Sequence, residues 1–225
     1  GSLSFTPLAD QYGTTTITVT VEDGGLDNNL STTDDNATTT ETFELTINSG
    51  FDFGDAPYPY PTTLGQDGAM HATEGPRLGS LRTSEDDGNN TSDSTGDEGD
   101  DGVIFSVMRV GQTKVSVNVD VQNAVDGARL DAWIDYDGDG SWGGAWEHIL
   151  NSVEVTNGSN LLHFTVPADA SSGLTYARFR ISSSTDVGIG GAVPDGEVED
   201  YQVELLPPGA GGHHFQLHST GLPGG

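Results

Sequence analysis

The sequence has no cysteine. Disulfide staples are therefore excluded, and for a chain with 32 glycines, rich in loops, metal ions are the obvious substitute. Positive charge is nearly as scarce: 7 basic residues stand against 35 acidic ones, a formal net charge of -28. Nucleic acid and anionic membrane surfaces would be repelled, so neither is expected as a partner. The same self-repulsion destabilises a compact state unless cations offset it. No apolar run approaches the roughly 20 residues of a membrane-spanning helix, so membrane insertion is not expected. A secretory leader pattern is also missing, and the sequence reads as an internal or mature fragment.

Helix signals are almost absent, and what stands in their place is alternation. "TTTITVTVE" (Thr14–Glu22) carries Ile17, Val19 and Val21 on one face, and "TETFELTIN" (Thr40–Asn48) carries Phe43, Leu45 and Ile47. Both predict half-buried strands, joined by a long acidic loop. Two strands cannot bury a core alone, so residues 1–49 are expected to be the C-terminal part of a β-sandwich module. Their uncovered apolar face and open edges predict packing on another domain or another copy, by strand addition.

A boundary is expected at Ser49-Gly50. A Pro- and Gly-rich excursion follows, and then "SEDDGNNTSDSTGDEGDDG" (Ser84–Gly102), which has no hydrophobic residue. From Val103 onward, strands are predicted at Val103–Val107, Thr113–Val121, Ala128–Tyr136, His148–Val155, Asn160–Val166, Thr175–Ser182 and Glu197–Leu205, separated by Gly-containing turns. Short strands at this spacing predict an all-β chain, an antiparallel β-sandwich of jelly-roll or Ig-like type with long Gly/Asp-rich loops. Residues 50–206 would form that domain and 207–225 a flexible Gly-rich tail, with at most a short strand at Phe215–Leu217.

Acidic residues cluster where chemistry is most plausible. In "AWIDYDGDGSWGGAWEHIL" (Ala132–Leu150), Asp135, Asp137 and Asp139 take positions 1, 3 and 5 of a calcium-type loop, Gly140 takes the sharp-turn position and Ser141 offers a carbonyl. The loop departs from an EF-hand, because a strand leads into it and Glu147 falls one residue late; Glu147 or a backbone oxygen would close the shell. A plain hairpin is the alternative, since Asp-Gly favours turns. Within Ser84–Gly102, Asp86, Asp87, Asp97, Asp100 and Asp101 are further candidate calcium ligands, against the alternative of a solvated acidic loop. In "PDGEVEDYQVEL", Glu197 and Glu199 would share a face, a bulge is expected near Asp200, and Asp52 and Asp55 would meet this segment. Metal ligands are thus also expected at Asp55, Glu197 and Asp200. Paired carboxylates suit a glycosidase as well, if about 5–9.5 Å apart, but no nucleophile–base or nucleotide motif accompanies them. Trp142 and Trp146, in or beyond the turn, are candidates for stacking on sugars, whereas Trp133 is expected in the core. The histidines lack zinc spacing.

"DFGDAP" (Asp52–Pro57), "AMHATEGPRLG" (Ala69–Gly79), "GDEGDDGV" (Gly96–Val103), "AWIDYDGDG" (Ala132–Gly140), "TYARFRIS" (Thr175–Ser182) and "PDGEVEDY" (Pro194–Tyr201) occur in this order. Together they resemble the GEVED domain, over about residues 51–206, with the naming motif at Gly196–Asp200. "LSFTPLADQYGTTTITVTVEDGG" resembles the second half of a cadherin-like or Ig-like repeat of large bacterial surface proteins. The resemblance implies a β-rich module of a secreted or surface protein, non-enzymatic. Calcium is the expected cofactor. Adhesion or domain spacing is the expected role, and a carbohydrate-binding module appended to a hydrolase is the alternative.

Overall fold

The computed structural model describes residues 4–5, 13–32, 34–47 and 50–209. The last residue of the second predicted strand, Asn48, lies outside them, as do His213, His214 and the Phe215–Leu217 segment. The described chain divides into two compact units, one within residues 1–50 together with 84–86, the other within 51–83 and 87–225. No helix among the described residues is long and apolar enough to cross a membrane.

The first unit contains a hairpin, β1 (Gly13–Glu22) against β2 (Thr38–Ile47). Its antiparallel register places Ile17 opposite Phe43, so the apolar residues of both strands share one face as the alternation predicts. Thr14–Thr46 and Thr20–Thr40 hydroxyl pairs bridge the other face. Val21 and Phe43 are exposed.

The second unit begins with short strands, β3 (Phe51–Phe53), β4 (Ala69–Ala72) and β5 (Arg77–Leu78). It continues with β6 (Val103–Phe105), β7 (Met108–Arg109), β8 (Val115–Gln122), β9 (Ala128–Ile134), β10 (His148–Val155), β11 (Gly158–Phe164), β12 (Gly173–Ser182), β13 (Gly191–Val193) and β14 (Glu197–Leu206). A five-stranded sheet runs β10-β9-β12-β14-β7, and a four-stranded sheet runs β11-β8-β5 with β6 also on β8. The two sheets face each other across one core, so the sandwich expectation holds. β8 shows why: Val115, Val117, Val119 and Val121 alternate inward and are fully buried. From the other sheet Leu130, Ala132, Ile134, Ala177, Phe179 and Ile181 meet them.

Three details differ from the predicted pattern. The single strand expected at Val103–Val107 is two: β6 pairs with β8 and β7 pairs with β14, so the chain crosses from one sheet to the other at Ser106-Val107. The β14–β7 and β13–β4 pairs are parallel within an otherwise antiparallel architecture. The bulge expected near Asp200 is absent, because β14 pairs with β12 in unbroken register from Ile181↔Glu197 to Gly173↔Leu205. Val198 and Tyr201 break simple alternation for another reason: β14 is covered on both faces. Its second face lies under the β13-β4-β3 sheet, whose β3 and β4 come from the Pro- and Gly-rich excursion.

Truncating the core should therefore cost far more than truncating a surface apolar residue. Phe179→Ala is expected to lower unfolding free energy by about 3–5 kcal/mol, and Ile104→Ala, 67% exposed, by roughly 0.5 kcal/mol or less. Urea denaturation midpoints of the two variants check this.

Candidate metal centre

Alternation along β9, β12 and β14 sends a second set of side chains to the outer face of the five-stranded sheet. Trp133, Arg178, Arg180, Val198 and Asp200 lie there, and all are buried. Arg178 and Asp200 are direct cross-strand partners. Arg178 donates from Nε and Nη2 to the two Asp200 oxygens at 2.7 and 2.6 Å, a bidentate pair with no exposure on either side. Its Nη1 donates to the Pro61 and Ile189 carbonyls, and Asp200 also accepts from the Ala56 amide. Arg180 donates to the Gly188, Gly190 and Gly191 carbonyls and, from Nε, to His71 Nε2 at 2.9 Å. An arginine can only donate, so His71 carries its proton on Nδ1, which donates to the Asp195 carbonyl. Burial, and then the Arg180 charge, hold the His71 pKa well below its ordinary value, so the ring is neutral.

The turn after β9 is tied to this layer. Arg178 lies 4.4 Å over the Trp142 ring, which packs 4.3 Å from Tyr60, and the Tyr60 hydroxyl donates to Asp135 at 2.6 Å. Asp135 is buried, and its carboxylate accepts the Gly138 and Gly140 amides. Asp137 and Asp139 are exposed and accept the Asp139 and Ser141 amides, each through one oxygen. The three carboxylates present ligand atoms within 4.8 Å of one another. Gly140, at φ +82°, is required: a Cβ there would fall 2.5 Å from Pro59 Cγ. The second oxygens of Asp137 and Asp139, with the Ser141 carbonyl, make an oxygen-only donor set of the kind calcium takes. Glu147 sits differently from the expectation that it closes the shell. It is buried behind the turn, where its two oxygens accept the Tyr136 and Gly144 amides, and burial raises its pKa. It braces the loop.

The other predicted ligands separate. Asp86 and Asp87 are exposed, Asp87 accepting the Leu64 amide. Asp101, also exposed, accepts Ser80 and Leu81 amides. Asp55 is buried and receives the Gly96 and Asp97 amides on Oδ2. Asp97 is buried and accepts the Gly99 amide on Oδ1, and Asp100 is half-buried. Glu197 accepts the Leu78 amide and Glu199 the Asp101 and Gly102 amides, both from the core side of β14. Asp200, expected as a metal ligand, spends both oxygens on Arg178 and serves an ion pair instead. Trp142, expected as a sugar platform, is 2% exposed, its Nε1–H donating to the Tyr176 carbonyl; Trp146 is 79% exposed. Trp133 is buried as expected, but on the outer face, stacked on His148. Sequence reasoning missed Arg178 and Arg180, and it missed the partners of Tyr60 and His71, which are Asp135 and Arg180. The signal for the arginines was present in "TYARFRIS", where two charges at spacing two share a face with no solvent to meet them.

Burial dominates the electrostatics of these carboxylates. It pushes Asp55 up to about 7, helped by the Asp200 charge, and Glu199 up to about 8 against the Tyr201 hydroxyl and two amides that favour ionisation. Burial and the Asp52 and Glu199 charges also raise Glu197, and burial with the Glu199 charge raises Asp100.

Two outcomes follow. Asp200→Asn should cost about 3–5 kcal/mol by leaving Arg178 buried without a counter-charge. Gly54→Ala should be of similar severity, because its Cβ would lie 2.4 Å from both Arg178 Nη2 and Asp200 Oδ2; thermal melts of both variants check this. The second concerns pH in chelator. Asp55 and Glu199 keep protons in the folded chain to about pH 7 and 8, whereas the unfolded chain loses them near the ordinary carboxylate values of 3.8 and 4.5. Between those limits the folded state binds more protons, so stability falls as pH rises. A melting temperature in chelator that did not fall from about pH 5 to about pH 8 would contradict this.

Neither a curated protein nor a solved structure matches the chain. A family model does match part of it, from the second residue of β9 almost to the end of β14, and so takes in the Asp135 turn and the Arg178–Asp200 pair. Residues 129–204 match the GEVED domain.

Proposed function

We propose that this chain is a non-enzymatic, calcium-stabilised structural module of a large bacterial extracellular or cell-surface protein, acting in adhesion or in spacing other domains. The observation that carries the reading is the convergence of Asp135, Asp137 and Asp139 on one turn, with oxygens of Asp137 and Asp139 facing solvent. A chain at -28 with no cysteine gains most from a cation at such a place. Magnesium suits the turn poorly, since it demands a stricter octahedral shell. Residues 1–49 are read as part of a cadherin-like or Ig-like repeat, whose apolar hairpin face is completed by another domain or another copy.

A carbohydrate-binding module is the second reading, and Trp146 favours it. The ring is 79% exposed, held at φ +70°, beside a groove of about 390 Å³ shared with His148, Ile149, Phe164 and Pro167. Its acidic surroundings suit neutral glycans. Binding on a neutral-glycan array that Trp146→Ala abolishes would support it; no binding would end it.

For calcium, a hundredfold excess over the dissociation constant should stabilise the fold by about 2.7 kcal/mol. Asp137→Ala and Asp139→Ala should each shrink the difference in melting temperature between calcium and chelator. Because ligating carboxylates must be ionised, that difference should grow with pH. Wild type melting identically in calcium and in verified metal-free buffer would refute the proposal.

A further inference from the structure

The buried carboxylates around β14 are not explained by the arginines beside them. Arg178 is committed to Asp200 and to carbonyls, and Arg180 to carbonyls and His71. Arg82 likewise donates to the Thr73, Glu74, Pro76 and Gly196 carbonyls.

Asp55 and Asp97 show what is unmet. Asp55 is 1% exposed and Asp97 9%. Each uses one oxygen on backbone amides of the loop, and each has a second buried oxygen, Asp55 Oδ1 and Asp97 Oδ2, that accepts no hydrogen bond. A buried carboxylate oxygen left in this state is costly. Asp97 brings a ligand oxygen within 4.8 Å of one on Asp52, and its amide donates to Asp55. Asp100 lies on the same side of β14, its Oδ2 accepting the amide of Asp200 at 3.3 Å, the residue whose carboxylate accepts the Ala56 amide next to Asp55.

We propose that the second unit holds a further divalent cation, calcium, among Asp52, Asp55, Asp97 and Asp100, and that this ion clamps the acidic loop 87–102 onto β14. The donors are all hard oxygens, with no nitrogen or sulfur, which selects calcium over transition metals. The loop is the natural cargo of the clamp. It has no apolar side chain before Val103 to hold it down, so its attachment rests on hydrogen bonds, among them the amides it gives to Asp55 and Glu199 and the contacts of Asn90, Ser92 and Asp101, and on this ion. Asp52 and Asp55 precede the loop and Asp97 and Asp100 lie within it, so one cation ties its free end to the segment beside β14. The inference rests on the same reading of carboxylates as calcium ligands, at a site separate from the Asp135 turn.

The test uses the full chain, stripped with chelator, dialysed against calcium chloride and counted by elemental analysis. Glutamyl endopeptidase probes the loop at exposed Glu98, and circular dichroism verifies folding. Wild type should bind one ion more than the Asp137→Asn/Asp139→Asn double variant. Asp97→Asn should also lose one ion, and it alone should leave Glu98 cleavable in calcium. Asp55→Asn serves if Asp97→Asn does not fold. An ion count and loop protection in Asp97→Asn equal to wild type overturn the proposal. So does equal cleavage of wild type in calcium and chelator, which needs no variant. If the double variant keeps the full count while Asp97→Asn loses an ion, the turn has failed and this centre stands.

Discussion

An arginine sealed from water must have every N–H group met, and much of the second unit is arranged to do that for Arg178. Leaving its guanidinium without a counter-charge at that depth would cost about 3–5 kcal/mol, a large share of the roughly 5–15 kcal/mol that holds a typical domain together. The Asp200 carboxylate meets one edge of the fork. The Pro61 and Ile189 carbonyls accept from Nη1, and they come from segments far apart in sequence. Ordering the arginine therefore orders two irregular stretches that have no apolar pattern of their own.

The same logic explains the glycine content of these stretches. Carbonyls can converge on Arg180 only where the backbone comes close, as at Gly188, Gly190 and Gly191. Gly54 passes so near the Arg178–Asp200 pair that any side chain would collide with it. The sandwich core between the sheets is ordinary aliphatic packing. The outer layer is a polar core, held by directional bonds from one arginine pair to loop backbone. The segment that matches the GEVED domain, 129–204, thus carries an outer face that its own 188–191 backbone and residues 51–83 bury together. The Asp135 turn is part of this layer through Tyr60 and Trp142.

The parts legible in the sequence are those where neighbours along the chain decide the outcome. β8 and β12 alternate cleanly because each has an aliphatic face toward the core, and the β1–β2 register follows from its apolar residues. β3, β4 and β13 were not legible: strands of three or four residues have no room for a period, and they form by pairing with distant segments. Trp142 looked available because it sits in a turn. Its burial depends on Tyr60 and Arg178, which no local pattern reports. Asp135, Asp137 and Asp139 could be read from spacing alone. The distinction between Asp200, consumed by an ion pair, and Asp97, with an oxygen left over, could not, since both are acids in acidic motifs and differ only in what folds against them.

The position of β3 carries a consequence for load. The Asp52 carboxylate accepts the Val198 amide at 2.6 Å, so the chain enters the second unit beside the first residues of β14, and β14 runs from there to its far end at Leu206. The ten residues of β14 span about 33 Å at roughly 3.3 Å per residue. A pull between β3 and the C-terminal end of β14 would run along that strand, and the rungs joining it to β12 would be stretched in shear, all at once, not peeled one after another. Such a geometry resists tension far better than a hairpin opened from its end.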